Sequence, residues 1–369
     1  MKFRCERDTL SEALGSAGRA VVSTRAGRPS AMEGLRLDVS GDVLEVVGTD
    51  FDMTIRVTAQ VSGSTDGVCV APARLITDAV RAVEAGAVDV ELADGEIRIS
   101  RGRTNYSFRT FPADDFPRLT EVDSDPVTCP AQDLADALGQ VVRAASADDA
   151  RPVLTGVLMV AEGDGLRLVA TDGYRLARRD LPGAKVLAPG QQVLVPSKSL
   201  SELSRLLGSA GTGDVIIKLG EHDATFEVGS TKVTTRLLVG QFPNYANLIP
   251  QNSPNRLIVG REPLLDALRR VKILVRDLTV HVKLTPRTDG VELTVVNQEL
   301  GRVTEDVEAK YEGTEMSIAF NPAYLMEGVE AVAGDEVVIE STDAVKAAVV
   351  HGTDSPDFLY LLMPTRPTY

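Results

Sequence analysis

Asp8-Thr-Leu-Ser-Glu-Ala-Leu14 opens a pattern that returns as Gln132-Asp-Leu-Ala-Asp-Ala-Leu138 and again as Glu262-Pro-Leu-Leu-Asp-Ala-Leu268. The closing Ala-Leu pairs lie about 124 and then about 130 residues apart. After each copy comes a strand pair turned by Gly and Asp, at Ser40-Gly41-Asp42, Gly163-Asp164-Gly165 and Thr288-Asp289-Gly290. An alternating run follows every time: Val43 to Val47, Leu166 to Val169, Val291 to Val296. A second helix then begins behind Pro72, Pro196 and Pro322, at spacings of about 124 and 126. Self-similarity that keeps both order and period marks a structural unit used three times.

The 369 residues accommodate three such units, each long enough to bury its own core. Within a unit the strands alternate apolar and polar residues, as in Leu35-Arg-Leu-Asp-Val39 and Val291-Glu-Leu-Thr-Val295. That alternation belongs to antiparallel sheets with one buried face. The helices carry apolar stripes, Leu10, Leu14, Ala17 and Val21 on one and Leu200, Leu203 and Leu206 on another. Two helices per set of meandering strands predict an α+β layer arrangement. Polar, Pro-containing stretches at Glu121 to Pro126 and Pro250 to Pro254 place the domains at 1–122, 123–252 and 253–369. Both linkers are short, so the domains form a fairly rigid row.

A composition of 43% hydrophobic and 25% charged residues is that of an ordinary globular protein. No apolar run is long enough for a membrane span, and no signal-peptide pattern follows Met1, so the expected compartment is the cytoplasm. Cys5, Cys69 and Cys129 are odd in number and lack CxxC spacing, which predicts reduced thiols used as apolar fillers. The net charge of −14 speaks against nucleic acid at first sight. The six predicted helices, however, are together neutral, so the excess negative charge lies elsewhere.

Reactive constellations are missing. His222, His281 and His351 stand in unrelated contexts with no second metal ligand at helical spacing, so neither a metal nor a cofactor is expected. Gly208-Ser-Ala-Gly211-Thr-Gly213 follows a helix and precedes a strand, the reverse of a phosphate-cradling loop, and reads as a helix stop. Asp114-Asp115 and Asp148-Asp149 are loop pairs with no partner base, which argues against an acidic hydrolase. Asn105-Tyr-Ser107 matches a glycosylation sequon but fits a strand surface. No catalytic residue is expected.

Three segments break the regular pattern. Ala170-Thr-Asp-Gly-Tyr-Arg-Leu-Ala177 ends a strand in an Asp-Gly turn and presents Tyr174, Arg175 and Leu176. Gly240-Gln-Phe-Pro-Asn-Tyr-Ala-Asn-Leu-Ile-Pro250 closes the second repeat, and Leu359-Tyr-Leu-Leu-Met-Pro-Thr-Arg366 lies near the end of the third. With the threefold repeat, these segments resemble the bacterial sliding clamp family, the beta subunits of DNA polymerase III, over the whole chain. The family's strings TDG-aromatic or His-RLA, FPxY and YxxMPxR stand here at Thr171 to Ala177, Phe242 to Tyr245 and Tyr360 to Arg366.

The resemblance implies a non-catalytic processivity factor: a head-to-tail homodimer whose six clamp domains ring duplex DNA, helices inside and sheets outside. Domain size agrees with that stoichiometry. A repeat of about 120 residues has a diameter of about 34 Å when treated as a sphere; three in contact leave a hole of about 6 Å and six leave about 34 Å. A duplex is roughly 20 Å across, so two chains are needed. Heterologous contacts that turn by half a revolution close such a ring.

The resemblance also implies sites. Arg25, Arg28, Arg151, Lys198 and Arg205 would meet DNA, and a near-neutral lining suits sliding better than a strongly basic one. The subunit interface would join an edge strand around Tyr106, Ser107 and Phe108 to the third-repeat helix with Ile273 and Leu274, although those two could equally be internal core. A docking pocket for short peptides of the replicative polymerase, the clamp loader and repair polymerases would take Leu154, Thr171, Gly173, Tyr174, Arg175 and Leu176 from the second repeat. Pro243 and Leu248 would come from its closing segment, Val345 and Ala347 from a third-repeat hairpin, and Leu361, Leu362, Met363, Pro364 and Arg366 from the last strand. Burying two large apolar side chains yields roughly 3–6 kcal/mol, consistent with about micromolar affinity after ordering costs. The chain departs from the family where Ala347 replaces a frequent serine and where Pro367 to Tyr369 follow Arg366. A clamp-fold paralogue serving as a protein scaffold without DNA tethering is the alternative reading.

Overall fold

The computed structural model describes residues 1–21, 31–119, 121–209, 213–250, 252–276 and 280–366. Among them are six α-helices, two for each repeat: α1 (Arg7–Ala17), α2 (Ala73–Ala82), α3 (Ala131–Val141), α4 (Ser197–Ser209), α5 (Arg261–Val271) and α6 (Pro322–Ala331). The opening motif of each copy forms the first helix of its pair. The three prolines set the second: Pro72 caps α2, Pro196 directly precedes α4, and Pro322 occupies the first turn of α6. A missing N–H is harmless in that turn, where no intrahelical acceptor exists. Asn321 completes the start of α6, its Oδ1 accepting from the amides of Ala323 and Tyr324 at 2.9 and 3.2 Å.

All strand pairings are antiparallel, and the chain gathers into two compact units. One comprises Met1–Gln132 and Glu202–Leu237; the other comprises Asp133–Ser201 and Leu238–Tyr369. The second repeat contributes to both, because each of its sheets continues into a sheet of another repeat. In the first unit, strand Thr231–Arg236 pairs with Met53–Gln60 and so extends an eight-stranded sheet. In the second, Arg175–Leu181 pairs with Ser355–Leu362 inside a twelve-stranded sheet. A separate five-stranded sheet of the first unit ends on Thr104–Arg109.

Periodicity accounts for the cores. In α1, Leu10, Ala13, Leu14 and Ala17 are buried at helical spacing, and the two leucines alone contribute about 3–6 kcal/mol of apolar burial. Leu35, Leu37 and Val39 enter the same core from strand Gly34–Ser40, while Arg36 and Asp38 face outward and pair at 2.6 Å. The three cysteines form no disulfide and are buried. Burial pushes the Cys69 thiol up to about 12, so no appreciable thiolate exists at neutral pH. A thiol reagent at pH 7.5 is therefore expected to leave Cys69 unmodified in the native protein and to react fully with it in denaturant; native-state labelling would remove the filler assignment. No helix among the described residues is long and apolar enough to cross a membrane.

Candidate functional site

Strand Gly165–Thr171 and strand Arg175–Leu181 form a hairpin whose turn organises the site. Thr171 Oγ1 donates to the Arg175 carbonyl at 2.6 Å and accepts from the Gly173 amide at 3.1 Å. Asp172 Oδ1 accepts from the amides of Tyr174 and Arg175 at 2.8 and 3.0 Å. Gly173 takes φ +93°, a conformation that disfavours any side chain. The turn thereby sends two neighbouring side chains in opposite directions: Tyr174 is 62% exposed, whereas Arg175 is buried.

The buried guanidinium has two acidic partners and an aromatic one. Its Nε donates to Asp172 Oδ2 at 3.0 Å, Nη1 pairs with Glu327 of α6, and the group lies 4.2 Å from the Tyr324 ring centroid. Cation–π contact and carboxylate pairing of this kind suit arginine's flat, weakly hydrated head. Burial pushes the Tyr360 phenol well above its ordinary range, so its hydroxyl remains a donor, given to the Tyr324 carbonyl at 3.0 Å. The Met363 amide donates to the Tyr174 carbonyl at 2.9 Å and fixes the last strand beside the turn.

Above this support lies a groove of about 640 Å³, within the range of ligand pockets. Its floor is apolar: Leu176 and Leu361 stand opposite each other across the strand pair and pack with Ala347, Val349 and Val169. Tyr174, Leu248, Val345 and Met363 form exposed apolar rims. Asp343 accepts from the amides of Val345 and Lys346, which holds its carboxyl below the usual range and shapes the third-repeat hairpin at the rim.

Ten of the fifteen pocket residues named from sequence lie on this lining: Thr171, Gly173, Tyr174, Arg175, Leu176, Leu248, Val345, Ala347, Leu361 and Met363. Leu154 is buried in the turn Pro152–Thr155, Pro243 is exposed in its loop, and Pro364 and Arg366 follow the last strand. Leu362 cannot share the groove with Leu361, because successive strand residues point to opposite faces, and it is fully buried on the other side. Six lining residues escaped the sequence reading: Asn247, Ile249, Pro250, Asn252, Thr342 and Lys346. Asn247, Ile249 and Pro250 belong to the closing segment Gly240 to Pro250, which carried the signal, and Asn252 follows two residues after it; Thr342 and Lys346 are polar hairpin residues with no such signal.

The cations proposed for DNA are scattered. Arg25 and Arg28 lie outside the described residues. Arg151 pairs with Asp148 at 3.2 Å and donates from Nη1 to the Asp172 carbonyl, which ties it to the groove turn. Lys198 is exposed on α4, and Arg205 pairs with Glu202 at 3.0 Å. Among the interface residues, Tyr106 and Phe108 stack with centroids 6.0 Å apart on the edge strand Thr104–Arg109, and Ser107 donates to Glu96 at 2.6 Å. Ile273 is 71% exposed, so it is not internal core, while Leu274 is half-buried beside Asn297. Among the described residues no three potential metal ligands gather.

A chain that repeats one α+β unit three times and holds open an apolar groove on a rigid polar support is built as a docking protein. The family models agree in all three repeats: DNA polymerase III beta subunit, N-terminal domain over residues 1–120, central domain over 128–244 and C-terminal domain over 246–366. The chain is similar to the beta sliding clamp of Proteus mirabilis, 32% identical over 371 residues covering 99% of this chain and 100% of that protein. The Escherichia coli (strain K12) clamp is 31% identical over 371 residues, with the same coverage. A crystal structure of the Bartonella birtlesii sliding clamp bound to griselimycin, 30% identical, matches with a TM-score of 0.92 over 99% of both chains. The chain belongs to the DNA polymerase III beta subunit family, the beta sliding clamps. It is thus a non-catalytic subunit that acts as a homodimeric clamp on duplex DNA and tethers polymerase for processive synthesis.

Proposed function

We propose that the ring closes by repeating between subunits the strand pairing that the chain uses twice within itself. Met53–Gln60 takes Thr231–Arg236 as its outer neighbour, and Arg175–Leu181 takes Ser355–Leu362. The equivalent third-repeat strand, Gly301–Glu312, pairs over 301–308 with Gly290–Asn297 on one side, and meets Asn255–Gly260 only over 309–312. Residues 301–308 therefore keep one unpaired flank among the described residues. The equivalent outer strand of the first repeat, Thr104–Arg109, is likewise an edge. Joining the two between chains gives both edges a partner, with Tyr106, Ser107 and Phe108 on one side and Ile273 and Leu274 on the other. This complementarity of two open edges carries the head-to-tail reading, with clamp domains at 1–122, 123–252 and 253–369.

The groove is read as the docking site for short peptides of the replicative polymerase, the clamp loader and repair polymerases. The groove's volume of about 640 Å³ and its apolar floor support it, as does the binding of griselimycin by the Bartonella relative. The exposed cations Arg151, Lys198 and Arg205, with Arg25 and Arg28, are assigned to transient phosphate contacts. Pairing of Arg151 and Arg205 with carboxylates weakens each as a phosphate grip, which suits sliding. The compartment is the cytoplasm, where such a replication factor works. The test is retention: the loaded clamp should stay on a nicked circular duplex and leave within seconds to minutes of linearisation. Equal retention on linear DNA would overturn topological tethering.

A further inference from the structure

The turn that shapes the groove is built a second time in the first repeat, where Thr49-Asp50-Phe51-Asp52-Met53 takes the place of Thr171 to Arg175. Thr49 Oγ1 donates to the Met53 carbonyl at 3.1 Å and accepts from the Phe51 amide at 3.2 Å. Asp50 Oδ1 accepts from the amides of Asp52 and Met53 at 3.2 and 2.7 Å. Even the cross-repeat contact recurs, with the Arg236 amide donating to the Asp52 carbonyl at 2.9 Å as Met363 does to Tyr174. Beside this turn is a cleft of about 130 Å³ lined by Phe51, Asp52, Arg118, Leu119, Asp223 and Arg236 among others.

Phe51 breaks the parallel. It holds φ +75° where the second repeat has glycine, and its ring is 59% exposed. A bulky residue in the left-handed region is a true outlier, and strain of this kind persists where the side chain has work outside the core. The cleft also carries positive charge: Arg118 and Arg236 are on its lining, are exposed and make no ion pair among the described residues. Arg56, in the same cleft, is by contrast taken up by Glu121 at 2.8 Å. With Asp52 and Asp223 on the same lining the cleft lacks the continuous positive charge that a run of phosphates needs, so only a single acidic side chain placed beside the two arginines is complementary to it.

We propose that the Phe51 cleft is a second docking site, for a short partner peptide that lays an apolar side chain on Phe51 and Leu119 and an acidic one between Arg118 and Arg236. It extends the peptide reading of the second-repeat groove to an equivalent turn, and its test keeps the two apart. The full-length chain carrying Met363→Asp, which puts a charge into the groove, is titrated with a fluorescein-labelled Asp-Leu-Phe-Asp peptide, its Lys-Leu-Phe-Lys counterpart and a thymidine oligonucleotide. The acidic peptide is expected to bind, and to weaken by about tenfold or more on adding Arg118→Glu with Arg236→Glu, or Phe51→Gly. Phe51→Gly should at the same time raise the thermal midpoint, because glycine relieves the left-handed strain; a merely structural Phe51 would lower it. No binding to the Met363→Asp protein, indifference to the arginine pair, or preference for the oligonucleotide overturns the proposal. Failure of the groove reading shows separately, as unchanged affinity of a Gln-Leu-containing peptide for Met363→Asp with the Phe51 results intact.

Discussion

Ile273→Asp is expected to convert the dimer into a folded monomer. The side chain is 71% exposed in the single chain, so a carboxylate there costs the fold little. In the proposed interface the same side chain loses water. Removing the isoleucine forfeits about 1.5–3 kcal/mol of burial, and an unpaired carboxylate in its place adds a desolvation penalty of several kcal/mol. A head-to-tail ring of two chains has two copies of the interface, so one substitution acts twice. A dissociation constant raised by at least about a thousandfold follows, since each 1.4 kcal/mol is a factor of about ten. Mass in solution over a dilution series, with circular dichroism as the folding control, checks it. A dimer of unaltered stability would remove Ile273 from the interface and leave the open flank of 301–308 without its proposed neighbour.

The repeat was legible because its signals are local and periodic. Leu10, Leu14 and Ala17, or Leu35, Leu37 and Val39, announce element and buried face from spacing alone, and the structure puts them in the core. The prolines placed the second helices to within a residue or two for the same reason. What spacing could not give is the way neighbouring repeats share sheets. The pairing of Thr231–Arg236 with Met53–Gln60 joins residues some 175 apart, and nothing in either strand names its partner. The groove shows the same division. The residues of its turn, Thr171 to Leu176, were legible because they match a string of the family, the Asp-Gly turn alone specifying only a hairpin, whereas Lys346 and Thr342 arrive by tertiary placement. Leu362 illustrates the converse: an adjacent apolar pair suggests one surface, and strand alternation sends Leu361 and Leu362 to opposite ones. In the first repeat Thr49-Asp50 leads into Phe51-Asp52 with no counterpart of Tyr174-Arg175-Leu176 in sequence, and the shared turn shows only in the structure, because the left-handed φ of Phe51 is invisible where glycine is lacking.

Arg175→Ala should destabilise the groove's support and abolish docking together, while Tyr174→Ser should affect docking alone. Arg175 is 9% exposed and neutralises Asp172, which is nearly as buried, and Glu327, which is one-third exposed. Truncation leaves Asp172 without its ionic partner in a poorly solvated place, a change that costs about 3–5 kcal/mol for a fully buried pair. The exposure of Glu327 lets water compensate part, so about 3 kcal/mol is the expected loss. Stacking on Tyr324 disappears as well, and α6 loses a tie to the hairpin. Arg175→Lys should recover only part, since an ammonium cannot serve Asp172, Glu327 and the ring face at once as the flat guanidinium does. Tyr174 has no such burden: its exposed ring forms groove rim, and its backbone carbonyl keeps the Met363 bond whatever the side chain. Urea unfolding followed by hydrogen exchange on residues 165–181 and 318–331 separates the two effects, with peptide affinity measured in parallel. Equal stability of Arg175→Ala and the parent would show that the buried cation supports the ligand and not the fold.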